Sequence, residues 1–89
     1  MAIDHSKLEL PKQPGVYLFK RSDDRVLYVG KATDLRSRVR SYFAKNPDRE
    51  MVPRLVEESV KVDFIVTQSP SEALVLEREL IRSHQPRCK

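Results

Sequence analysis

Two short runs rich in β-branched and aromatic residues constrain the fold of this chain most. They cover residues 15–20 (GVYLFK) and 25–31 (RVLYVGK), and the polar residues 22–24 (SDD) separate them. Runs of this composition joined by a polar turn predict a β-hairpin. An even number of loop residues would put Tyr17 and Tyr28 on the same face of the hairpin, whereas an odd loop or a bulge would separate them.

The segment after the hairpin predicts an amphipathic helix, capped near Thr33 or Asp34 and running to about Lys45. Its apolar side chains fall in one arc of about 100°, the width of a core-facing stripe. They are Leu35, Val39, Tyr42 and Phe43. Arg38 falls at one edge of this stripe, one turn below Tyr42, and Arg36 and Arg40 flank the other side.

Three further elements complete the predicted order. Residues 53–59 indicate a short helix, and residues 61–68 (KVDFIVTQ) a third strand with alternating Val62, Phe64 and Val66. The capping box at residues 69–72 (SPSE) predicts a helix that runs to about Ser83. The order β-β-α-α-β-α is typical of an α+β domain, here with a small, mainly antiparallel three-stranded sheet flanked by helices. Residues 1–14 form an N-terminal lead, and residues 15–89 a single domain.

Composition excludes several classes of protein. A chain of 89 residues holds one small core, and its single cysteine and two histidines cannot fill a four-ligand zinc site. Two glycines are too few for a Walker loop or a dinucleotide fingerprint. No apolar run approaches the roughly 18 residues of a membrane span, and the N-terminus lacks a signal-peptide pattern. We therefore expect a soluble, cytoplasmic, monomeric domain.

Positive charge is concentrated in one segment. Residues 31–49 contain six cations, among them Lys31 and Lys45, and only two acidic residues, which accounts for the whole net charge of +4. Localised positive charge is expected of a surface that binds a polyanion such as nucleic acid. A solvated helix face explains the same pattern equally well.

Glu77 contradicts the pattern of the last helix. The apolar residues of this helix share an arc of about 160°, and Glu77 falls near the middle of that arc, between Ala73 and Ile81. An unpaired carboxylate among apolar groups is costly, so it usually gains a cation. That cation is either an arginine, with Arg38 as the candidate, or a metal ion.

The two glycines carry the clearest motif. Gly15 and Gly30 each stand beside a strand tyrosine, and a glycine in a strand often marks close approach by backbone or ligand. The triplets GVY (15–17) and YVG (28–30) resemble those of the GIY-YIG nuclease superfamily. The flanking runs LPKQPGVYLFK, VLYVGKATDLRSRVRSYF and SEALVLERELIRSHQPR resemble the N-terminal endonuclease domain of the UvrC family over residues 10–87.

This resemblance implies a metal-dependent DNA endonuclease domain that makes the 3′ incision of nucleotide excision repair, on DNA prepared by UvrA and UvrB. It implies one divalent cation, Mg²⁺ or Mn²⁺, held chiefly by Glu77. It also implies an active site containing Tyr17, Tyr28, Lys31, Arg38 and Tyr42. Arg36, Arg40 and Lys45 are further candidate DNA contacts.

The chemistry of phosphodiester hydrolysis suits these residues. A guanidinium pairs with phosphate in a fork, which makes Arg38 the candidate clamp, with Lys31 as a second cation. A tyrosine that accepts a proton at neutral pH needs a lowered pKa, which nearby cations would supply to either Tyr17 or Tyr28. Tyr28 is the slightly preferred base, and Tyr42 is expected to orient or stack.

The resemblance weakens at the C-terminus, where Lys89 takes the place of an asparagine typical of the family. Three other functions remain open. The first is a stand-alone GIY-YIG nuclease that cuts branched or structured DNA, and the second is a nucleic-acid-binding relic that has lost its chemistry. The third is a protein-interaction domain whose basic helix is only a soluble surface. Retention of Glu77 with Arg38 and both triplet tyrosines favours an enzyme.

Overall fold

The chain folds as a three-stranded antiparallel sheet with a helix on each face. A computed structural model describes residues 9–43 and 58–86. In chain order the elements are β1 (Gly15–Lys20), β2 (Val26–Ala32), α1 (Leu35–Ser41), β3 (Lys61–Val66) and α2 (Pro70–His84). The strand order is β2-β1-β3, so β1 is central. The predicted α+β class and antiparallel sheet are confirmed. None of the described helices is long and apolar enough to cross a membrane.

The β1–β2 hairpin places the triplet tyrosines on one face. Tyr17 pairs with Gly30 and Phe19 with Tyr28, but the next pair is Lys20 with Val26, so β2 has one extra residue at this point. The five-residue loop is odd in length, and the bulge offsets it. Asp24 in this loop has a left-handed φ of 65°. The odd loop and the bulge therefore compensate for each other, and Tyr17 and Tyr28 share one face of the sheet. The sequence predicted this shared face only for an even loop without a bulge.

Each face of the sheet carries its own apolar cluster. The cluster under α1 consists mainly of aromatic and large aliphatic side chains: Leu10, Tyr17, Phe19, Leu27, Ala32, Leu35, Val39 and Tyr42. The cluster under α2 is aliphatic: Val16, Leu18, Val26, Val29 and Ala73, with Leu76, Leu80 and Ile81 packed against it. Because successive strand residues point to opposite faces, β1 supplies both clusters from one short run.

The first turn of α1 is held by the residues that precede β1. The backbone N–H of Leu35 donates to the carbonyl of Gln13 at 2.9 Å, and that of Arg36 donates to Pro11 at 3.2 Å. The Asp34 carboxylate accepts from the N–H of Ser37, as expected of an N-cap. The backbone carbonyls of the lead thus accept hydrogen bonds from the first N–H groups of α1.

α1 is shorter than predicted. It ends at Ser41, and the N–H groups of Tyr42 and Phe43 bond to the carbonyls three residues back, at Val39 and Arg40. Such bonds tighten the last turn and turn Tyr42 toward the core. The predicted end near Lys45 was therefore too late, and Lys45 itself lies outside the described residues.

β3 and α2 follow the sequence pattern closely. β3 ends at Val66, two residues before the predicted end: the N–H of Thr67 still donates to the carbonyl of Pro14, but proline has no N–H to return the bond. As an edge strand β3 leaves Phe64 and Val66 about two-fifths exposed, at 39% and 43%. At the start of α2 the Ser69 hydroxyl accepts from the N–H of Glu72 at 3.2 Å, which confirms the cap.

α2 ends at His84, one residue past the predicted end, and Gln85 terminates it with a left-handed φ of 46°. The predicted helix over residues 53–59 lies almost wholly outside the described part of the chain. Only its last two residues, Glu58 and Ser59, are described, and Glu58 is helical.

Candidate active site

Gly30 and Tyr17 share one position on the sheet. They are partners across the β1–β2 ladder, and the Tyr17 ring lies over the Cα of Gly30. A side chain at residue 30 would overlap both the ring carbons and the hydroxyl of Tyr17. Gly15 likewise leaves room for the backbone of Ile65 and the side chain of Leu35. Each glycine therefore admits a close neighbour from another element.

All three tyrosines of the chain meet on this face of the sheet. The Tyr17 and Tyr42 hydroxyl oxygens are 2.6 Å apart and share a hydrogen bond in which either can donate. The Tyr28 ring lies 6.1 Å from the Tyr17 ring and 6.3 Å from the Tyr42 ring, centroid to centroid. Tyr17 and Tyr42 are buried, whereas Tyr28 is only partly buried. Tyr28 is thus the phenol that a substrate can reach.

Burial dominates the electrostatics of the two inner phenols. It raises the pKa of Tyr17 above its usual value, against smaller opposing effects of hydrogen bonds from Tyr42 and Arg38. The pKa of Tyr42 is also raised, mainly by burial and then by its hydrogen bond with Tyr17. Desolvation favours the neutral phenol in both cases. A raised pKa and no exposed surface make Tyr17 unsuited to accept a proton, which leaves Tyr28 as the candidate base.

Arg38 joins the phenols to a solvent-exposed cleft. Its guanidinium lies near enough to the Tyr17 hydroxyl to oppose the rise in the pKa of that phenol, while the side chain as a whole is exposed. With Lys31, it lines a cleft of about 410 Å³ between the end of β2, the outer side of α1 and the first turn of α2. Ala73 of α2 forms the opposite wall. The cleft therefore presents two cations, one of which, Arg38, also lies near the tyrosine cluster.

Glu77 lies on α2 one turn beyond Ala73, on the same side of the helix. The start of α2 lies beside Lys31, and its end beside Leu18. Glu77, between these points, therefore lies level with the middle of β2. Its side chain is partly buried, and within residues 9–43 and 58–86 it forms no ion pair with Arg38 or any other arginine. The predicted arginine partner is thus not found.

The donor chemistry around Glu77 fits a hard divalent cation. A partly buried carboxylate without a cationic partner gains from a bound ion, and Mg²⁺ typically takes one or two carboxylates plus water. In the described part of the chain no three His, Cys, Asp or Glu side chains cluster, so no site for a metal that needs several protein ligands is formed there. One carboxylate without an ionic partner in the described part of the chain, on the helix that lines a cationic cleft, fits a magnesium-type site.

Comparison with known proteins agrees with this arrangement. A family model described as the UvrC-like GIY-YIG domain matches residues 13–89, which is most of the chain. The chain belongs to this family. UvrABC system protein C of Synechococcus sp. (strain CC9605) is 54% identical to it over 79 residues, 88% of this chain and 12% of that protein. The corresponding protein of Natronomonas pharaonis is 52% identical over 86 residues, 97% of this chain and 14% of that protein.

Solved structures of one UvrC domain also resemble this chain. The GIY-YIG N-terminal endonuclease domain of UvrC from Thermotoga maritima, bound to its catalytic divalent cation magnesium, superposes with a TM-score of 0.81. It is 41% identical and covers 90% of this chain and 86% of its own. Three further structures of that domain carry single tyrosine-to-phenylalanine substitutions, and one an asparagine-to-alanine substitution, each bound to the cation.

Four of the basic residues predicted to bind DNA or phosphate lie in different surroundings. Arg38 and Lys31 line the cleft, and Arg40 lies exposed on the side of α1 away from Arg38. Arg36 is partly buried, and its Nε donates to the carbonyl of Leu10 at 2.7 Å, so part of its guanidinium holds the lead. Contacts of these four residues with DNA remain predictions. The same is true of Lys45, which the structure does not describe.

Two hydroxyls were missed by sequence reasoning. Thr33 and Ser37 line the cleft beside Arg38. Ser37 stands next to Arg38 in α1, and Thr33 directly precedes the N-cap Asp34, which was available as a signal. It carries little weight in sequence alone, because serine and threonine are common on any exposed helix face.

Proposed function

We propose that this domain is a metal-dependent DNA endonuclease that hydrolyses a phosphodiester bond. The observation that carries the proposal is the position of Glu77, a carboxylate without an ionic partner among the described residues, on the helix that walls the Lys31–Arg38 cleft. The cleft offers cations for a phosphate, and the helix that walls it carries a carboxylate for a metal. Membership of the UvrC-like GIY-YIG family supports the same reaction.

Each residue of the site has a defined task in this reaction. Arg38 and Lys31 would hold the scissile phosphate and offset the charge that develops on it. Tyr28, whose hydroxyl a substrate can reach, would act in its phenolate form and become the neutral phenol when it takes a proton from the attacking water. Tyr17 and Tyr42 would orient Arg38 and Tyr28 through their hydroxyls. A Mg²⁺ or Mn²⁺ bound through Glu77 and water would polarise the phosphate and help the leaving oxygen depart.

The Thermotoga maritima variants support a carboxylate-centred metal site. That domain keeps its cation when any one of three tyrosines loses its hydroxyl and when an asparagine is replaced. No single phenol there is essential for binding the ion. By analogy, the cation in this domain would depend on Glu77, and Lys89 at the family's asparagine position would not prevent binding.

The reaction of the whole protein is a further step of the proposal. The chain spans about an eighth of the length of its curated relatives, 12% of one and 14% of another. Because those relatives are proteins of the UvrABC system, we propose the 3′ incision of nucleotide excision repair in the cytoplasm, with UvrA and UvrB acting through the full-length protein. The alternative is a nuclease that cuts branched or structured DNA without them.

Plasmid nicking tests the reaction directly. We expect Mg²⁺- or Mn²⁺-dependent relaxation of supercoiled plasmid by the wild-type domain and its loss in Glu77→Gln. Glu79→Gln is the matched control, since Glu79 is exposed on the same helix and the change in charge is identical. Equal nicking by both variants would refute the role of Glu77. DNA binding without nicking by the wild type would favour the non-catalytic relic.

A further inference from the structure

The cleft beside the active site is larger than one phosphate requires. Its volume is about 410 Å³, and Lys31 and Arg38 occupy only part of its lining. Thr33, Ser37 and Ser41 line the remainder on the α1 side. Ser37 and Ser41, four residues apart, lie on one side of α1, and Thr33 lies just before the helix begins at Leu35. The cleft therefore extends beyond the two cations as a hydroxyl-lined channel.

Two of the three hydroxyls are available to a ligand. Ser41 Oγ donates to the carbonyl of Arg38 at 2.6 Å, so its proton is engaged. Thr33 and Ser37 are exposed, and within the described part of the chain their hydroxyls make no hydrogen bond. Hydroxyl donors beside cations are the contacts that nucleic-acid backbones accept most often, because phosphate oxygens offer only acceptors.

The backbone of α1 does not supply this site. Its first N–H groups are already bonded: Leu35 to Gln13, Arg36 to Pro11, and Ser37 to the Asp34 carboxylate. Binding in the cleft must therefore come from side chains. Asp34 also lines the cleft, but Lys31 and Arg38 outweigh its single negative charge.

We infer that Thr33 and Ser37 bind a backbone phosphate of the DNA strand next to the scissile one. This inference rests on the proposed function, since Arg38 and Lys31 hold the scissile phosphate. The two hydroxyls donate to the neighbouring phosphate, and the strand enters the active site along the cleft side of α1. The contact is to the backbone, so it adds affinity without sequence preference.

Equal changes of charge at two serines test this inference. Ser37→Glu places a carboxylate in the cleft, and Ser22→Glu places one in the exposed hairpin turn, where no DNA contact is proposed. Binding of a short fluorescein-labelled duplex is measured by anisotropy at low salt in EDTA, so that nothing is cut. We expect Ser37→Glu to raise the Kd about tenfold and Ser22→Glu less than twofold, because only the first opposes a phosphate.

A complementary pair excludes a mere loss of folding. Ser37→Lys should lower the Kd and steepen its dependence on salt by about one unit of slope, while Ser22→Lys should do neither to the same extent. Equal effects at residues 22 and 37, or no binding by the wild type at low salt, would overturn the inference. If the binding pattern holds but no protein nicks plasmid, the cleft contact stands and the proposed reaction fails.

Discussion

The ring of Tyr17 occupies the space that the missing side chain of Gly30 leaves on the neighbouring strand. This contact joins the two glycine–tyrosine triplets into one unit. It sets the depth of the Tyr17 ring and hence the position at which its hydroxyl meets Tyr42 and Arg38. The second triplet thus supplies Tyr28 to the site and also the space in which the first triplet's tyrosine sits.

Gly30→Ala should therefore destabilise the domain by about 1–3 kcal/mol, the usual cost of forcing extra volume into a packed site. Urea unfolding measures the change. The penalty should shrink in a Tyr17→Ala background, where the overlap is gone, and the double-mutant cycle should show coupling between the two positions. Additive penalties would mean that the ring and the glycine do not interact.

Loss of either inner hydroxyl should cost about 1–2 kcal/mol of unfolding free energy, because the partner is left buried with one hydrogen bond fewer. Tyr17→Phe and Tyr42→Phe test this by urea unfolding. The double variant should lose less than the sum of the two, since no hydroxyl is then stranded. We expect both single variants to retain the fold and to lower the nicking rate through Arg38 and Tyr28.

The free energy of unfolding should fall in alkaline solution, because the two buried tyrosines then tend to ionise. Burial raises the pKa of both Tyr17 and Tyr42 in the folded state above the unfolded value of about 10. The stability that the neutral phenols contribute is therefore fully present below pH about 10 and is lost as the pH rises toward the folded-state pKa. Urea midpoints across this range measure it, and the double Phe variant should show a flatter profile.

Glu77→Leu should stabilise the metal-free domain by about 1 kcal/mol, because a partly buried carboxylate without a partner is replaced by an apolar side chain. Mg²⁺, in contrast, should stabilise the wild type and not the Glu77→Leu variant. At about ten times its Kd it should add about 1.4 kcal/mol to the wild type and nothing to the variant. A Mg²⁺ effect of the same size in both proteins would place the ion elsewhere.

Arg40→Ala should weaken DNA binding by a similar factor for any sequence and reduce the salt slope by about one, as expected of a phosphate contact. Anisotropy titrations at several salt concentrations measure both quantities. Arg40 is exposed, so the free energy of unfolding should change by less than about 0.5 kcal/mol. An unchanged salt slope would mean that Arg40 is a solvated surface residue only.

Much of the fold follows from local patterns. Alternation and turn chemistry locate the hairpin, and the Ser69 cap with Pro70 locates the start of α2. These signals are strong because each depends on neighbours a few residues away. The end of α1 was misplaced, because it is decided by how Tyr42 packs against Tyr17 and Phe19. Such contacts leave no mark on the sequence around residue 42.

The sequence by itself determined which side chains are present for chemistry, and it singled out Glu77 as a carboxylate among apolar neighbours. Only the tertiary structure decided how deeply each group is buried and which groups it meets. Burial beneath α1 makes Tyr17 a poor base, and the edge of the sheet leaves Tyr28 accessible. The reason is physical: residue identity fixes intrinsic chemistry, whereas solvation and partners, which set pKa and access, arise when distant segments pack together.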